Sequence, residues 1–101
     1  MSRCYTLNDQ HEPVPCDLLG LESVLADVDK RRVGWTEIGS IIVSTVFLGL
    51  DHNYTGKGPP ILFETMIDRG DGWDEQERYR TWDEAVAGHA AAVDRVRSEC
   101  P

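Results

Sequence analysis

Residues Ile41 to Ile67, IIVSTVFLGLDHNYTGKGPPILFETMI, decide the fold. Two apolar runs, 41–50 and 61–67, flank a loop of Gly, Pro and polar residues at 51–60. The first run is apolar at both parities, with Ile42, Val46, Leu48 and Leu50 on one face and Ile41, Val43 and Phe47 on the other. Such a strand is expected at the centre of a sheet with both faces covered. Residues 61–67 are its expected antiparallel partner, and the loop sets Asp51, His52, Asn53 and Tyr54 at one end of the pair.

Working outward, Leu18, Leu21, Leu25 and Val28 recur at helical spacing, which predicts a helix over about 17–31 capped by Asp17. Residues 33–37 read as a further strand, and Gly39-Ser40 as the turn into the central run. Gly70 and Gly72 break the chain before a third strand at 76–80. Thr81 and Glu84 then form a capping box, opening a helix over about 82–98 with Trp82, Val86, His89, Val93 and Val96 inward and Ala85 and Ala90 beside them. At the N-terminus, residues 3–6 and 13–16 read as a short hairpin limited to an edge by Pro13 and Pro15. The expectation is one α+β domain over 1–101, a small antiparallel sheet of 3–5 strands packed against two helices.

Composition narrows the function. The chain has 101 residues and a net charge of -8, spread as 4 basic and 7 acidic side chains in residues 1–50 and 6 and 11 in residues 51–101. The acids are interleaved with Arg, so the charge reads as solubility rather than as a nucleic-acid mimic, and a basic nucleic-acid-binding face is not expected. No apolar run reaches membrane-spanning length and no apolar leader opens the chain, so the expected location is the cytoplasm. The three cysteines, Cys4, Cys16 and Cys100, lack a CxxC pair and suggest neither a zinc ribbon nor a disulfide scaffold. Cys4 and Cys16 face each other if the first segment is a hairpin, and in a reducing cytosol they are expected as thiols.

Candidate chemistry follows from register. A regular hairpin around the 51–60 loop sets Leu50 opposite Ile61 and Phe47 opposite Glu64. Glu64 then lies beside Thr45, Phe47, Gly49, Leu62 and Met66, where a carboxylate needs a hydrogen bond or a cation. Its bland role is to fix register by accepting from Thr45, Tyr54 or a loop amide. His89, mid-stripe on the last helix, is a satisfied core histidine unless it meets Glu64. With Asp51 and His52 the pair would make a metal or acid–base site. Asp68, Asp71, Asp74 and Glu75 lack calcium-loop spacing. Gly56-Lys57-Gly58 is followed by prolines and a strand, not by the helix a phosphate loop needs. No cofactor is expected. Tyr54, Lys57 and Trp73 stand out as loop residues suited to protein contact.

The segments CYTLNDQHEPVPCDL, VSTVFLGLDHNYTGKGPPILFETMI and RYRTWDEAVAGHAAAV resemble a family of small uncharacterised proteins encoded by bacteriophages and prophages. Asn53 to Lys57 and Asp68 to Trp73 depart from that family's shorter, less charged glycine-rich turns. The family carries no established activity, so the resemblance implies context alone: an accessory protein in the bacterial host cytoplasm. Three functions follow as expectations. The first is a non-enzymatic factor that binds a bacterial host protein, with neither nucleic acid nor membrane as partner. The second is a metal- or small-ligand-binding protein, with hydrolytic chemistry as an extension, using His52, Glu64 and His89. The third is a self-assembling component, a homodimer being its simplest form.

Overall fold

In a computed structural model, residues 3–99 are described, apart from the side chains of Asp74 and Glu75; Cys100 lies outside the described residues. The elements are β1 (Cys4–Leu7), β2 (Pro13–Cys16), α1 (Leu18–Ala26), α2 (Val28–Arg31), β3 (Arg32–Ile38), β4 (Ile41–Phe47), β5 (Phe63–Asp68), β6 (Trp73–Tyr79) and α3 (Trp82–Glu99). The α+β class holds, but the strands divide into an antiparallel hairpin β1-β2 and a four-stranded antiparallel sheet β3-β4-β5-β6. No helix among the described residues is long and apolar enough to cross a membrane.

The local signals act where the residues place them. Asp17 caps α1, its Oδ1 accepting from the Gly20 amide at 2.9 Å. Thr81 and Glu84 form the capping box reciprocally, each side chain accepting the other's amide at 3.1 Å. The expected 17–31 helix is broken at Asp27, whose amide donates to Val24 O while its carboxylate accepts from the Lys30 amide and opens α2. Within α1 the buried face is Leu21 and Val24 while Leu18 and Leu25 are exposed, and Val28, beyond the break, is exposed as well. In α3 the buried face is Ala85, Ala92, Val93 and Val96, with Trp82 packed beside it; Val86 and Ala90 are exposed, rotated off the expected stripe.

The register of the central pair differs from expectation by one residue: Phe47 pairs with Phe63, and Val46 with Glu64. Gly49 is the cause. It adopts a φ of +81°, a left-handed conformation open to glycine, and a Cβ there would stand 2.9 Å from Leu21 Cδ1. This turn releases Leu50 from β5 and bridges it to Cys4 of the hairpin, with Tyr5 donating to Gly49 O and Asp51 to Arg3 O. Strand β4 therefore ends at Phe47 rather than 50, and β5 begins at Phe63 rather than 61. Because side chains alternate with period two, a slip of one residue exchanges the faces.

Helix α3 packs on the face that carries Val43, Thr45, Phe47, Phe63, Thr65, Ile67 and Tyr79. Two apolar clusters form there. Leu7, Val24, Phe47, Leu62, Phe63 and Ala85 join the hairpin and α1 to the sheet; Val43, Ile67, Ala92, Val93 and Val96 close the other end. The opposite face bears Trp35, Ile42, Ser44, Val46, Glu64 and Met66, and among the described residues no helix packs across it.

A candidate site divided between the two faces of the sheet

Between the apolar clusters runs a line of polar side chains. Thr45 and Thr65 pair across β4 and β5, and their hydroxyls meet at 2.5 Å. His89 lies over them from α3, with Nδ1 2.8 Å from Thr45 Oγ1 and Nε2 2.9 Å from Thr36 Oγ1. On the other side the Tyr79 hydroxyl lies 3.1 Å from Thr65 Oγ1 and 3.2 Å from Glu77 Oε2. A charged carboxylate only accepts and is the stronger acceptor, so it takes the Tyr79 proton. Thr65 then donates to Tyr79, Thr45 to Thr65, His89 Nδ1–H to Thr45, and Thr36 to His89 Nε2. One neutral tautomer of His89 thus satisfies the whole line. No buried side-chain polar atom among the described residues lacks a partner.

Two glycines make room for this line. A Cβ on Gly34 would lie 2.8–2.9 Å from three ring atoms of His89, and one on Gly88 would lie 2.2–2.4 Å from the tip of Tyr79. Burial lowers the pKa of His89 from its ordinary 6.5. Burial also raises that of Tyr79, with the nearby Glu77 charge adding to it and the Thr65 hydrogen bond opposing it. A folded-state pKa below 6.5 means the unfolded chain takes up the proton first, so this contribution is complete above about pH 6.5 and is lost as pH falls through the folded value. Melting temperature measured from about pH 8 down to about pH 5 is expected to drop below that point, and to drop less in His89→Leu.

Glu64 lies on the opposite face. It is 7% exposed, and its Oε2 accepts from Arg78 Nε at 2.8 Å, so its partner is a cation on β6 rather than Thr45, Tyr54 or a loop amide. Glu64 and His89 therefore do not meet, because the sheet stands between them. The Arg78 side chain is 40% exposed and can rehydrate when its partner is removed. Glu64→Leu is accordingly expected to change stability by less than about 1 kcal/mol in chemical denaturation.

The loop residues serve the loop. Asp51 Oδ1 accepts from the Asn53 and Ile61 amides at 2.7 and 3.0 Å, pinning both ends. Asn53 donates to Lys57 O and Pro59 O. His52 Nδ1 donates to Leu50 O at 2.8 Å, since a carbonyl only accepts. Tyr54 is 72% exposed, with the Arg3 guanidinium 5.4 Å over its ring. Asp51 and His52 thus sit at the Phe47–Phe63 end of the sheet, while Trp73 pairs with Asp68 at the other end. Among the described residues no group of three or more His, Cys, Asp and Glu side chains is placed to hold a metal ion.

Thr36, Thr65, Tyr79, Glu77 and Arg78 stand in no motif that marks them in the sequence, and Trp35 reads there only as core or edge packing. Thr36, Thr45 and Thr65 are polar residues at the helix-facing parity of three neighbouring strands, a signal visible once the register is right. Comparison of the chain with family models, with curated proteins and with solved structures finds no match. Fold and side chains together define a small α+β protein with one sheet face closed by a helix and the other open.

Proposed function

We propose that this chain is a non-enzymatic accessory protein of the phage type, which binds a host protein in the bacterial cytoplasm through the open face of its four-stranded sheet. One observation carries the reading: β4 is apolar at both parities, as in a strand covered on two sides, yet α3 covers one side only. The open side holds the partly buried Ile42, Val46 and Met66. Trp35 and Trp73 stand on the same side from the two edge strands, 41% and 44% exposed, their rings in edge contact at 6.4 Å. Those edges stand about 14 Å apart, three strand spacings, so the two indoles bridge the sheet. Arg32 lies 5.0 Å over the Trp35 ring, and the Glu64–Arg78 ion pair borders the patch. Tryptophan and arginine flanked by polar groups are the residues that anchor protein interfaces.

Metal or hydrolytic chemistry shared by His52, Glu64 and His89 has no common space, since these residues occupy a loop, the open face and the covered face. The test of the binding reading is a pull-down with the tagged chain from host lysate. It is expected to retain one stoichiometric protein, whose affinity drops at least tenfold in Trp35→Ala and in Trp73→Ala while both variants keep their melting temperature within a few degrees. Retention unchanged in both variants would refute the open face as the contact.

A further inference from the structure

We infer that Cys4 and Cys16 form a redox-responsive dithiol site, which closes to an intramolecular disulfide on meeting a small-molecule disulfide oxidant. The two residues are direct partners in the β1-β2 hairpin. Tyr5 N–H and Arg3 C=O are committed to Gly49 and Asp51 on the far side, so the Cys4 amide and carbonyl point toward β2. Cys4 and Cys16 thus occupy a hydrogen-bonded pair position, where Cα atoms of an antiparallel ladder stand about 5.5 Å apart. That spacing lies inside the range a disulfide spans, about 4.4–6.8 Å, and both Cβ atoms leave the same face of the hairpin.

The surroundings fit a switch more than a permanent bridge. Both residues are partly exposed, so an oxidant can reach them. Burial, the neighbouring Cys4 and Asp17 all raise the Cys16 thiol pKa, which slows attack by Cys16 and favours the thiol form in a reducing medium. Gly20 stands against Cys16, where a Cβ would lie 2.9 Å from Cys16 Cβ, and so leaves the room that the sulfur needs. With glutathione disulfide as oxidant the balance is complete. One cysteine thiolate attacks the oxidant's S–S bond and releases one glutathione thiolate. The second cysteine, losing its proton, attacks the resulting mixed disulfide and releases the other. The protein loses two electrons and two protons, and the oxidant becomes two molecules of glutathione.

Closure ties β1, which leads on from Arg3 over the Tyr54 ring, to the cap of α1. It also removes chain entropy from the unfolded state. The experiment uses the full chain carrying Cys100→Ser, incubated with glutathione disulfide or with dithiothreitol. Expected are a mass two hydrogens below the reduced form, a proteolytic fragment joining Cys4 to Cys16, and a melting temperature raised by roughly 10 °C and reversed by dithiothreitol. In Cys16→Ser, Cys4 is expected to hold one glutathione instead. Persistent glutathione on both cysteines of the Cys100→Ser chain, disulfide-linked dimers through them, or no reaction while the urea-unfolded chain reacts would each overturn the inference.

Discussion

His89→Ala is expected to lower stability by about 2–4 kcal/mol, read as a melting-temperature drop of roughly 10–20 °C. Two effects add. The imidazole fills the space left open by Gly34, where its ring atoms lie 2.8–2.9 Å from a notional Cβ, so truncation leaves a void between sheet and helix. It also removes the imidazole partner of Thr36, and one of the two partners of Thr45, in a part-buried setting where water access is limited. His89→Leu refills the void and leaves the hydroxyls without the imidazole, so its cost is expected to be smaller, about 1–3 kcal/mol. A loss below about 1 kcal/mol in both variants would mean that the hydroxyl line does not hold helix to sheet.

Gly88→Ala is expected to destabilise by about 2 kcal/mol, against the usual sign for such a change in a helix, where alanine gains up to about 1 kcal/mol. The reason is local. The new methyl would fall 2.2–2.4 Å from Tyr79 Cζ, Oη and Cε1, and the Tyr79 ring is held in place by Thr65 and Glu77. Moving the ring breaks the end of the line that orients His89, and moving α3 opens both apolar clusters. In a Tyr79→Leu background the obstructing atoms are gone, and Gly88→Ala is expected to be neutral or stabilising. A double-mutant cycle by urea denaturation should thus show coupling of about 2 kcal/mol; additivity would refute the contact.

How far the sequence could be read depends on which forces acted locally. The helix starts at Asp17 and Thr81 were legible because capping is decided within three or four residues. The antiparallel partnership of β4 and β5 was legible from two apolar runs around a Gly-Pro loop. Their register was not, because the loop is asymmetric: Gly49 diverts Leu50 to a strand more than forty residues earlier in the chain. That single residue moved Glu64 from beside His89 to the far face and gave its carboxylate to Arg78. His89 lies part-buried, with a hydrogen-bond partner at each ring nitrogen. Its partners, Thr36 and Thr45, come from two different strands, and nothing local in the sequence announces them. Likewise Tyr54 and Trp73 were grouped as contact residues, yet they lie at opposite ends of the sheet, and the companion of Trp73 is Trp35.

The open face explains why β4 is apolar on both sides although one helix covers it. Its double-sided pattern asks for a second layer, and the described residues of this chain supply one only. Side-chain oxidation footprinting of the free and partner-bound protein tests this most directly. Trp35, Trp73 and Met66 are expected to lose reactivity on binding while Tyr54 keeps its own. Protection of Tyr54 with Trp35 and Trp73 unchanged would contradict it and move the contact to the 51–60 loop.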